Sequence, residues 1–176
     1  PHVAALNDNI ANGNIEEIIR VNEALHEKKI AYIADQICQQ PEARLVLIAG
    51  PSSSGKTTFA QRLLIQLRVN GRRPVLISMD NYFVDRALTP LDEKGDYDFE
   101  SLRALKLDLF NSHLISLIQG DEVEIPVFNF KTGSCNSQGV PIKVNPGQPI
   151  IVEGIHALND ELTWLIPNEL KFKVYI

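Results

Sequence analysis

Residues 50–57 read Gly50-Pro51-Ser52-Ser53-Ser54-Gly55-Lys56-Thr57, a complete G-x-x-x-x-G-K-[ST] pattern. Binding nucleotide phosphates needs these residue types at this spacing. Glycines at 50 and 55 let the backbone turn successive N–H groups inward as an anion nest. The N-terminus of a following helix adds its partial positive charge. Lys56 is placed to reach the β- and γ-phosphates, and the Thr57 hydroxyl to bind Mg2+. With Thr58, the whole loop is expected to cradle phosphates. The flanks agree. Residues 45–49 form a short apolar run, as in a buried parallel strand, and residues 58–69 set Phe59, Leu63, Leu64 and Leu67 on one helical face.

Two further apolar runs, 75–79 and 149–152, lead into Asp80 and Glu153. Ligands of open α/β sheets sit outside the carboxyl ends of the strands. The two carboxylates and the phosphate loop are therefore expected to converge on one edge. That set suits phosphoryl transfer: one carboxylate helps hold Mg2+, and the other accepts a proton from an attacking hydroxyl. An Asp after a strand also serves as a turn cap. A carboxylate such as Glu153 beside phosphates is costly without a cation, which favours a magnesium-linked role.

The elements that must position these groups follow from periodicity. Alternating strands and helices indicate an α/β fold with a mostly parallel sheet. Residues 1–13 read as irregular and 14–40 as a helix ended by Pro41, so 1–43 form an N-terminal segment ahead of a core at 44–176. The 14–40 helix is read as packed on the domain; the alternative is a linker or dimerising helix, which leaves a homo-oligomer open. A long polar loop spans 80–98, a length often associated with function. Then come a helix at 100–119, a hairpin pairing 123–128 with 140–144 around Lys131-Thr132-Gly133, a short helix at 158–166 and a strand at 171–176.

Composition narrows the partners. The 176 residues are enough for one domain with a core, and a net charge of −5 argues against nucleic acid or an anionic membrane as the main partner. No apolar stretch approaches the roughly 18 residues that span a bilayer, and no signal peptide is visible. Cys38, Cys135 and four scattered histidines make no metal spacing. These features together point to a cytoplasmic protein. Pro1 at the start and a strand at the end read as a piece of a longer protein.

Four ordered blocks give the chain a resemblance: 50–58; Met79-Asp80-Asn81-Tyr82-Phe83; Pro126-Val127-Phe128-Asn129-Phe130; and Ile151-Val152-Glu153-Gly154-Ile155-His156. Over roughly 44–176 it resembles the uridine kinase and phosphoribulokinase family, most of all the bacterial long-form uridine-kinase-like nucleoside kinases. The resemblance implies a three-layer P-loop NTPase fold and Mg-ATP-dependent transfer of the γ-phosphate to a hydroxyl of a small nucleoside or sugar acceptor. It implies that Asp80 activates that hydroxyl alongside Lys56, and that Glu153 is linked to magnesium with Thr57. Tyr82, Phe128, Asn129, Lys131 and His156 fall in segments that would meet the acceptor. Arg86 and Arg103 are further cations that could bind acceptor or phosphate oxygens.

The chain also departs from the family pattern. Phe128 stands where Tyr is frequent, Asn129 where Asp is usual, and Gly133 where uridine kinases often carry a nucleoside-contacting His. An Asp-His-Pro is absent from 97–102. Missing hydrogen-bond partners alter acceptor choice by large factors. A nucleoside, a phosphoribulokinase-like sugar acceptor and a nucleotide-binding regulatory module therefore remain open. The family carries an arginine-bearing lid and an adenine-binding loop after the fourth core strand. Residues 1–176 stop before both and are expected to be inactive or nearly so alone.

Overall fold

Three short apolar runs and one alternating strand assemble into one parallel sheet in a computed structural model that describes residues 2–176. β1 (Leu45–Ala49) is central and buried along its whole length. It pairs with β7 (Ile150–Glu153) on one side and β8 (Lys171–Tyr175) on the other, and β2 (Val75–Ser78) adds outside β7, in the order β2-β7-β1-β8. Side chains alternate across the sheet. Leu45, Leu47 and Ala49 face one apolar cluster, and Val46 and Ile48 face another. Burial on both faces is why β1 reads as a continuous apolar run and why β7 does so up to Glu153.

Helices supply the two outer layers. α3 (Lys56–Val69) follows the phosphate loop and buries Phe59, Ala60, Leu63 and Leu67. Beside it lies α2 (Ile15–Cys38), whose C-terminal half buries Ile30, Ala34 and Ile37 in the same cluster. α4 (Leu107–Gln119) covers the opposite face with Phe110, Leu114 and Leu117. Among the described residues, no helix is long and apolar enough to cross a membrane.

Four local expectations are corrected. Much of the stretch expected to be irregular is helical: α1 spans Val3–Ala11, with His2 Nδ1 accepting from the Ala5 N–H at 3.2 Å. This helix buries none of its residues, so it carries little core signal. The helix expected from 100 starts only at Leu107. Backbone bonds Val84 N to Ala104 O and Lys106 N to Tyr82 O, both 2.8 Å, tie 104–106 to the segment after β2 and hold it out of the helix. The expected hairpin is two ladders. β3 (Glu122–Ile125) pairs with β6 (Val140–Lys143), and a smaller hairpin of β4 (Phe128–Asn129) and β5 (Ser134–Cys135) sits inside it. Pro126 lies between β3 and β4 and has no N–H to continue a ladder. The region expected to hold a helix at 158–166 contains a 3-10 turn, Asp160–Thr163, whose Glu161 N–H is held by Asn159 Oδ1 at 3.0 Å.

The shared α2–α3 core makes a stability prediction. Ile30 is 0% exposed. Ile30→Ala should cost about 2–4 kcal/mol in urea unfolding with an unchanged m-value. A detached linker helix would leave the midpoint where it was.

Candidate active site

Strand register brings the chemistry together. Ile48 of β1 lies opposite Glu153 of β7, and Glu153 lies opposite Ser78 of β2. Each strand therefore ends at the same level. β1 runs into the phosphate loop, β7 ends on Glu153, and β2 is followed within two residues by Asp80.

The loop is shaped at two glycines for different reasons. Gly55 sits at φ +89°, in the left-handed region, immediately before α3. Gly50 is required by close approach: a Cβ there would lie 2.6 Å from the Ile176 carbonyl oxygen and 2.8 Å from Ser54 Oγ. Ser53 also takes a positive φ, of 60°. Lys56 Nζ donates to the Pro51 carbonyl at 2.7 Å, so its ammonium lies across the loop. Thr57 Oγ1 donates to Glu153 Oε1 at 3.2 Å. Glu153 is only 6% exposed, and this hydroxyl is its side-chain partner.

Ser52, Ser53, Gly55, Lys56, Thr57, Thr58, Asp80 and Glu153 line one cleft of about 550 Å³. Gly50 and Pro51 line an adjoining pocket with Ser52, and Ser54 faces a third. The Thr57–Glu153 pair offers hard oxygen donors, which fit Mg2+. Among the described residues no group of three or more His, Cys, Asp or Glu could hold a metal, so protein ligands alone make no cage. Mg2+ in such sites takes one or two protein oxygens and completes its shell with phosphates and water. Asp80 is exposed at the cleft, and partial desolvation there raises its carboxyl above its ordinary value, with the nearby Lys56 charge opposing part of that rise.

The cleft continues into an aromatic recess. Phe83, Phe99 and Phe130 line both the cleft and an apolar pocket of about 230 Å³ completed by Val84, Arg86, Thr89 and Phe128. Ring centroids are 5.1 Å apart for Phe128–Phe130 and 5.6 Å for Phe83–Phe128. Arg86 Nη2 donates to the Phe130 carbonyl at 2.8 Å and fixes the pocket rim.

Other expected acceptor residues lie elsewhere. Tyr82 is 1% exposed, and its hydroxyl meets His113 Nδ1 at 3.0 Å, inside the core. Burial pushes its phenol upward. Asn129 Oδ1 accepts from the Lys131 and Thr132 N–H groups at 2.9 and 3.3 Å, so its amide builds the β4–β5 turn. Lys131 is exposed on that turn, and the half-buried His156 lies outside the cleft lining. The lining residues given no role from the sequence are Phe83, Phe99, Glu100, Gly154 and Ile155. Phe83 carried a signal, since it lies three residues beyond Asp80.

Residues 45–176 match the Phosphoribulokinase / Uridine kinase family. The chain belongs to this family. A uridine kinase of Halalkalibacterium halodurans is 35% identical over 117 residues, 66% of this chain and 54% of that protein. A uridine kinase of Brevibacillus brevis is 33% identical over 132 residues, 75% of this chain and 58% of that protein. The chain thus spans a little over half the length of these curated relatives. A solved structure of a possible uridine kinase from Bacillus stearothermophilus superposes with a TM-score of 0.62, covering 84% of this chain and 80% of that one at 24% identity, and shows the same fold. The family match begins at residue 45, so α1 and α2 precede it.

The raised Asp80 carboxyl has a stability consequence. Its folded value lies above its unfolded one, so the folded state holds the proton more tightly. The contribution is fully present below the unfolded carboxylate value and is lost as pH rises through the folded value. Asp80→Asn should flatten this part of the stability–pH curve and leave the protein at least as stable at neutral pH. Thermal melts between pH 3 and 7 check it; a loss of stability at neutral pH contradicts it.

Proposed function

We propose that this chain is the catalytic core of a Mg-ATP-dependent kinase that phosphorylates a hydroxyl of a nucleoside. The observation that carries the reading is the cleft itself: phosphate loop, Asp80 and aromatic recess open into one space. The loop and the N-terminus of α3 bind the phosphates. Lys56 transfers its hydrogen bond from the Pro51 carbonyl to phosphate oxygens. Asp80, facing the same space, accepts the proton of the acceptor hydroxyl as its oxygen bonds to the γ-phosphorus, while the bond from that phosphorus to the β–γ bridging oxygen breaks and ADP leaves with the electron pair. Thr57 and Glu153 would hold magnesium, which would supply charge neutralisation for the donor phosphates. The phenylalanine recess favours a flat ring over a sugar phosphate, because desolvating a phosphate in an apolar pocket is costly. This supports a nucleoside over a phosphoribulokinase-like sugar acceptor.

In the full-length protein, Asp80→Asn should lower kcat by roughly 10²–10⁴-fold. Affinity for MgATP should stay within about twofold, since the carboxylate acts on the acceptor. In the parent protein, kcat should fall as pH drops through the raised Asp80 value, because the protonated carboxyl cannot accept a proton. Steady-state assays against a nucleoside panel with isothermal titration of MgATP measure all three. Undiminished transfer by the Asn variant removes Asp80 from the base role.

A further inference from the structure

We infer that α2, which lies outside the family match, forms one wall of the site for the nucleoside end of the phosphate donor, with His26 and Lys29 as its contacts. The inference rests on the kinase reading above and adds a binding surface to it.

In-line transfer sets the γ-phosphate against the acceptor hydroxyl, with the rest of the donor trailing away from it. Asp80 and the aromatic recess mark the acceptor end of the cleft. The base and ribose must therefore leave the loop by another exit, and two are present. One passes Gly50, Pro51 and Ser52 into a pocket of about 360 Å³ whose charged lining residue is Glu100, with no cation. Glu100 borders the phosphate cleft as well, and its carboxylate offers no counter-charge to an α-phosphate on this side. The other passes Gly55 and Thr58, which line the phosphate cleft and a second cavity alike.

That second cavity, of about 570 Å³, lies between α2, the start of α3 and the end of β8. It has the makeup of a base site: apolar and aromatic walls from Ile33, Phe59 and Tyr175, with a few polar groups from α2. Lys29 makes no ion pair or hydrogen bond among the described residues, so its ammonium is available to a ribose or α-phosphate oxygen. His26 is held in place. Its ring lies 6.3 Å from that of Phe59, and its Nδ1 is 3.4 Å from Arg62 Nη1. Arg62 is itself paired with Glu27 at 2.8 Å. A guanidinium only donates, so Nδ1 takes the acceptor role and Nε2 is left to donate to a base edge. Burial of Ile30, Ala34 and Ile37 fixes α2 against α3, which gives this wall a rigid backing.

The test uses the full-length protein and two probes, MgADP and inorganic pyrophosphate, titrated calorimetrically against the parent and the variant His26→Ala/Lys29→Ala. Pyrophosphate reads the loop alone; ADP adds the nucleoside end. The double variant should weaken ADP by about tenfold or more and leave pyrophosphate unchanged, which also shows that the variant is folded. The single variants Lys29→Gln and His26→Gln should each give part of that loss. Equal ADP affinity in parent and double variant overturns the inference and leaves the kinase reading standing. A parallel loss of both probes also overturns it, because the effect then lies in the loop. Failure of the parent to bind either probe overturns the kinase reading itself.

Discussion

The backbone ladder of β7 with its two neighbours sets the geometry on which the cleft depends. Parallel pairing places Ile48, Glu153 and Ser78 side by side, and the ladder is prolonged by Gly154 N–H to Ile48 O at 3.1 Å. Side chains on a strand alternate with period two, so a one-residue slip of β7 would turn Glu153 to the other face of the sheet. The Thr57 hydroxyl would then lose its carboxylate, and a nearly buried charge would lose its partner. Register is well specified here because Ile150 and Val152 enter one apolar cluster and Ile151 the other. Core packing thus fixes the position of a charged group.

The same ladder governs Asp80. Gly154 follows Glu153, and a Cβ on it would run into the Met79 side chain, with Met79 Cβ at 2.9 Å and Sδ closer still. The bare glycine lets the end of β7 close on Met79, and Asp80 is the next residue along. The Asp80 N–H is then held by Ser78 Oγ at 3.3 Å. Asp80 is placed by strand packing and one turn cap, in an environment that raises its carboxyl. In the proposed kinase reading, Asp80 and Lys56, lining one cleft, divide the work of phosphoryl transfer between positioning and charge stabilisation.

Much of this was legible in the sequence because it is local. The phosphate loop announces itself in eight residues, and apolar runs with acidic ends mark the strands that feed the cleft. What escaped depends on long-range pairing. Tyr82 lies two residues beyond Asp80, yet the 3-10 turn Met79–Tyr82 points its ring into the core against Phe110. Asn129 has the look of a substrate contact, but its amide closes a tight turn whose place depends on the inner hairpin. Phe99 reaches the cleft from a long loop with no periodicity to reveal it. The start of α4 was misplaced because residues 104–106 bond to a strand-like segment twenty residues earlier. The aromatic recess and the α2 cavity are products of packing between elements, which no local pattern encodes.

The central claim is that a single cleft holds donor phosphates and acceptor hydroxyl between Lys56 and Asp80. A crystal structure of the full-length protein with a non-hydrolysable Mg-ATP analogue and a nucleoside tests it most directly. The account predicts phosphates within the 50–57 loop and an Asp80 carboxylate oxygen about 2.6–3.2 Å from the acceptor hydroxyl. Phosphates lying outside the loop, or an acceptor hydroxyl out of hydrogen-bond reach of Asp80 with no bridging water, would contradict it.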